Sequence, residues 1–91
     1  MAPAKSDKPD TPEALRAWVA QRGSELTPRM RDAAHYALEH PGDVALCSLA
    51  ALGERAQLAP AAFIRMAKAL GFSGFTDLQR LFRAPLQQAV Q

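Results

Sequence analysis

Arg65 and Lys68 stand three residues apart, and Ala61 stands one helical turn before Arg65. At about 100° per residue these three share one face of a helix opened by Pro60, while Phe63, Met66, Ala67 and Leu70 form an apolar stripe on the other. An arginine on such an outer face can bond both O6 and N7 of a guanine in the DNA major groove, worth about 1–3 kcal/mol of discrimination. Lys68 offers a point charge to a phosphate or a base edge, whereas Ala61 and Ala62 can offer only methyl contacts to thymine. Ser48, Ser73 and Arg55 flank this segment and are the candidate phosphate contacts. The competing reading of the same spacing is an amphipathic helix whose charges are simply solvated.

Enzymatic chemistry finds less support. His35 and His40 are five positions apart, whereas metal pairs on one helix face sit about three or four apart, and no thiol or carboxylate completes a set. One cysteine and two histidines make no nucleophile, base and orienting group, and there is no Gly-rich phosphate loop or HExxH pair. No catalytic residue, metal or cofactor is therefore expected. Cys47, beside Ser48 at a helix start, is read as a small packing residue rather than a thiolate. A single cysteine forms no intramolecular disulfide, and the first residues lack an apolar signal core, so a reducing cytoplasmic setting is expected. No run approaches the roughly 18–20 apolar residues of a membrane span, so no membrane partner is expected.

The elements that must hold these residues follow from composition and periodicity. The 91 residues are 48% apolar but only 7% aromatic, a balance that favours one small helical domain over sheet. Net charge is +2, unevenly placed: residues 1–54 carry eight acidic against six basic residues, and residues 55–91 carry five basic residues against Asp77 alone. That polarity suits an anionic partner. Residues 1–10 are Lys/Asp/Pro-rich and unperiodic and are expected as a flexible tail, residues 11–84 as the domain, and residues 85–91 as a C-terminal tail or linker stub.

Five helices are expected within the domain. Thr11-Pro12-Glu13 is a helix start, Leu15, Trp18 and Val19 supply its apolar stripe, and Gly23 is expected as its left-handed terminator. Thr27-Pro28 repeats the signal for a helix burying Met30, Ala33, Ala34, Ala37 and Leu38, which stops near His40 because Pro41 and Gly42-Asp43 suit a turn. Ser48 caps a third helix with Leu49, Leu52, Gly53 and Ala56 inward, and a short turn at Gln57-Leu58 leads to the helix opened by Pro60. This is a helix-turn-helix, with Gly53 as the small residue where the two helices cross. Gly71 is placed to cap the second helix, with Phe72 and Phe75 folding back onto the core. A fifth helix is expected from Thr76, where Thr76-Asp77-Leu78-Gln79 has capping-box spacing, to a stop at Pro85.

The run from Ser48 to Phe75, above all Arg65-Met66, Leu70-Gly71-Phe72 and Gly74-Phe75, resembles the N-terminal helix-turn-helix domain of the RpiR family of bacterial transcriptional regulators. The similarity extends over roughly residues 11–83 and takes in Leu26-Thr27-Pro28 and the stretch from Ala33 to Pro41. It implies an all-α, five-helix bundle of homeodomain-like or RpiR N-terminal type that binds double-stranded DNA as a homodimer. It further implies control of sugar-phosphate or related carbon-metabolism genes, with a phosphosugar effector bound only by a domain absent from this chain. Gln57 stands where the family usually has glycine, Ala59 where it has a serine or threonine cap, and Ala62 and Ile64 where Thr or Ser is frequent. These departures weaken DNA recognition before they weaken the fold, because the core positions stay apolar. The alternative they leave open is a helical dimerisation or protein-interaction module that keeps the fold without sequence-specific DNA binding.

Overall fold

A computed structural model of the chain describes residues 8–90, with side chains as far as Pro85. Among the described residues the protein is all helical: α1 (Pro12–Arg22), a 3-10 turn (Gly23–Glu25), α2 (Pro28–Glu39), α3 (Pro41–Leu46), α4 (Leu49–Ala56), α5 (Pro60–Ala69) and α6 (Phe75–Val90). The helix starts are written locally. The hydroxyl oxygens of Thr11, Thr27 and Ser48 accept the N–H groups of Ala14, Met30 and Ala51 at 3.0, 3.2 and 3.1 Å. Each satisfies a donor that the first turn cannot pair internally. Pro12, Pro28, Pro41 and Pro60 each open a helix, where a missing N–H costs nothing.

Several expectations are corrected. Gly23 is right-handed (φ −58°, ψ −26°) and opens the 3-10 turn instead of terminating α1 in the left-handed region. Arg31 holds this turn on α2 by donating to the carbonyls of Gly23 and Leu26 at 3.2 and 3.1 Å. The expected five-helix count becomes six, because the segment after His40 is not a turn but the six-residue α3. Such a helix is too short to stand alone, and side chains from α6 satisfy its terminal carbonyls. Gln79 donates to Val44 and Cys47 at 3.2 and 3.3 Å, and Arg83 donates to Ala45 at 2.9 Å. At its other end Tyr36 donates its hydroxyl to Asp43 at 2.8 Å.

Pro85, the expected stop, lies inside α6, which starts at Phe75 rather than Thr76. Pro85 is exposed, and its ring, without ending the helix, removes the N–H that would otherwise bond the carbonyl four residues earlier. Of the expected flexible tail, residues 1–7 lie outside the described residues. Lys8 is anchored, 3.2 Å from Asp77 and over the Phe72 ring at 5.0 Å, and Pro9 is buried.

The core is a single cluster, with Phe63, Leu15, Leu52, Met66, Leu70, Leu78 and Val44 fully enclosed. α2 packs on α5, α3 on α6, and α4 on α5. Ala33, Ala34 and Ala37 are completely buried on α2, and side chains of that size let two helix backbones approach closely. Phe63 sits edge-on to Tyr36 and Phe75 at 6.2 and 6.3 Å. Cys47 is half-buried at the junction of α3 and α4.

Candidate nucleic-acid interface

α4 and α5 form the helix-turn-helix, and their junction fixes how α5 is presented. Gln57 carries the chain through the left-handed region (φ 59°, ψ 43°), the single non-glycine residue with positive φ among the described residues. Leu58 donates its N–H to the Gly53 carbonyl at 3.0 Å and turns its side chain against the core. A Cβ on Gly53 would stand 2.9 Å from the Leu58 carbonyl oxygen and 3.1 Å from Cγ of Pro60, so a glycine is required for this close crossing. Ala59 supplies no side-chain cap to α5.

With its apolar stripe fixed against α2 and α4, α5 presents Ala61, Arg65 and Lys68 to solvent on one face. Ala62 does not join them. Only 7% of it is accessible, because it lies one turn before Met66 on the face that packs inward; its methyl is withdrawn from the base contact expected of it. Among the described residues Arg65 and Lys68 have no ion-pair or side-chain hydrogen-bond partner, in contrast with the other cations of residues 55–91. Arg55 lies 3.6 Å from the Asp43 carboxylate, Arg80 lies 3.9 Å from Asp77, and Arg83 is committed to Ala45.

The two serines differ. Ser48 is exposed at the start of α4, and its oxygen accepts from Ala51 while its own proton stays available to an acceptor. Ser73, beyond α5, donates both its N–H (3.1 Å) and its hydroxyl (3.4 Å) to Asp77. That backbone bond, followed by the Lys8 ammonium, holds the Asp77 carboxyl below the usual carboxylate range. Burial, and then the bond to Asp43, pushes the Tyr36 hydroxyl up.

Sequence reasoning missed a cleft between the start of α2 and the helix-turn-helix. Thr27, Arg29 and Met30 of the α2 start and Gln57, Ala61 and Arg65 of the helix-turn-helix line it together. No local signal could have found it, since the pairing of these segments depends on the packing of α2 against α5. Among the described residues no three His, Cys, Asp or Glu side chains gather as a metal site, and no helix is long and apolar enough to cross a membrane.

The arrangement is an exposed helix with two cations uncommitted among the described residues, set by a tight turn on the core. No curated protein and no solved structure matches the chain. A family model described as a helix-turn-helix domain of the rpiR family matches residues 14–89, a span that reaches into all six helices and includes the glycine-dependent crossing and the exposed face of α5. The chain belongs to that family of DNA-binding domains of transcription regulators.

Proposed function

We propose that this domain recognises specific sites on double-stranded DNA by laying α5 in the major groove. Arg65 reads a guanine through its two-pronged guanidinium, Lys68 meets a phosphate or base edge one turn on, and Ala61 adds a methyl contact. The observation that carries this reading is the uncommitted state of Arg65 and Lys68 on an exposed helix face, while Arg55, Arg80 and Arg83 are engaged elsewhere. A cation with no internal partner gives up no bond when it meets DNA. Ser48 supports the reading as a phosphate donor at the start of α4, and Arg55 and Ser73 do so after exchanging their present carboxylate partners. Ala62 has no part in it. The likeness to the RpiR family supports a cytoplasmic homodimer that controls sugar-phosphate or related carbon-metabolism genes, with the phosphosugar effector sensed by a domain outside these residues.

The test is fluorescence anisotropy of a labelled random-sequence duplex titrated with the chain at several salt concentrations, beside the Arg65→Ala/Lys68→Ala variant. The wild type is expected to lose affinity with salt at a log–log slope of about −3, as for roughly three neutralised phosphates, and the double variant to lose most of its binding. No binding at low salt, or a variant equal to wild type, would move the reading to a helical interaction module.

A further inference from the structure

We infer that Arg29 of α2, outside the helix-turn-helix, is a phosphate-binding residue of the DNA contact, acting across the cleft it shares with Arg65. The inference rests on the DNA-binding reading above and adds to it a site on a different helix.

The start of α2 and the outer face of α5 form the two walls of this cleft, with Arg29 on one and Arg65 on the other. Among the described residues its charged lining consists of these two guanidiniums and no carboxylate. Both arginines are exposed, and among the described residues neither guanidinium has an ion-pair or hydrogen-bond partner. Two like charges facing one concavity repel each other, and an anion seated between them turns that repulsion into two attractions.

The surface changes sign just beyond. The neighbouring concavity along α2 also includes Arg29 but carries Asp32 and Glu39, so an anion is accepted on the α5 side and repelled on the other. The identity of the anion follows from position. Ala61 and Arg65 belong both to the cleft and to the face assigned to the groove. A helix seated in a major groove about 12 Å wide has a phosphate backbone along each flank. Arg29 stands to one side of α5 on its supporting helix, where it meets backbone rather than base edges. A guanidinium fork matches two phosphate oxygens at once.

Phosphate contacts carry no direct sequence information, so a random-sequence duplex is a sufficient probe. Salt-dependent anisotropy is measured on the wild type, Arg29→Ala and Arg16→Ala. Arg16 of α1 is exposed, has no side-chain partner among the described residues and lines neither of these clefts, so its removal controls for net charge. Arg29→Ala is expected to bind roughly tenfold more weakly at low salt. Its log–log slope should be shallower by about 0.9, the share of one phosphate. Arg16→Ala should keep the wild-type slope, and both variants the wild-type melting midpoint. Wild-type slope and affinity in Arg29→Ala would overturn the inference and leave the DNA-binding reading standing. Equal losses in the two variants would also overturn it, because the charge would then act at a distance. A wild type that binds no duplex would remove the DNA-binding reading itself, and this inference with it.

Discussion

Replacing Gly53 by alanine sets two effects of opposite sign against each other. In an unobstructed helix interior alanine is favoured over glycine by about 1 kcal/mol. Here the new methyl would stand 2.9 Å from the carbonyl oxygen of Leu58 and 3.1 and 3.2 Å from two ring carbons of Pro60. Neither neighbour can turn aside. The oxygen belongs to the backbone of the turn, whose Leu58 N–H is bonded to Gly53 itself at 3.0 Å, and the proline ring is closed. Relief requires α5 to move away from α4, loosening the packing of Phe63 and Met66, and overpacking of this kind costs about 1–3 kcal/mol. The clash outweighs the propensity gain, and the net loss expected is up to about 2 kcal/mol. At about 4–8 °C per kcal/mol for a domain of this size, the melting midpoint followed by circular dichroism should fall visibly. Gly42→Ala is the control: Gly42 lies in α3 with nothing within 4 Å of the added methyl, so its midpoint should hold or rise. DNA affinity measured well below the midpoint should fall for Gly53→Ala alone. A Gly53→Ala midpoint at or above wild type would refute the reasoning, because the close crossing would then not constrain the fold.

Gln57→Gly is expected to be stabilising. The left-handed conformation (φ 59°) costs a residue with a side chain about 1–2 kcal/mol, and the greater freedom of glycine in the unfolded chain returns about 0.4–1 kcal/mol of that. The urea midpoint should rise at an unchanged m-value, and a fall would mean that the Gln57 side chain makes a stabilising contact. Asp77→Asn tests the anchor on Ser73 and Lys8. Because folding lowers this carboxyl's pKa, the folded state binds fewer protons, so its stabilisation is complete above the ordinary carboxylate pKa, near pH 4, and is lost as pH falls through the lowered value. The variant should therefore melt below wild type at pH 7, with the gap closing in acid; a gap that stays constant with pH would contradict the ionised role.

Much of the fold was legible because its signals are local. Thr11, Thr27 and Ser48 each cap a helix within three residues, the opening prolines act through their own ring, and the stripe Phe63, Met66, Ala67, Leu70 is a statement about period alone. The outer face of α5 was legible for the same reason, since whatever lies opposite a buried stripe is exposed. Ala62 shows where that logic stops. A helical wheel gives its angle, but its withdrawal depends on how deeply α5 sinks against α2.

The sequence by itself determined an all-helical chain, the helix-turn-helix within it, the need for glycine at Gly53 and the pair Arg65 and Lys68 on the outer face. The tertiary structure alone decided the rest. α3 exists because Gln79 and Arg83 reach back from α6 to carbonyls that six residues cannot satisfy among themselves. Pro85 failed to end α6 because a proline removes one hydrogen bond of the helix and leaves the rest of its turns intact. The availability of each cation was set in the same way. Arg55, Arg80 and Arg83 read like Arg65 in the sequence, and only the approach of Asp43, Asp77 and the Ala45 carbonyl separates the committed from the free. Helix propensity and period act over one or two turns of chain, whereas the partner of a charge is whatever the packing of distant helices places within a few ångströms.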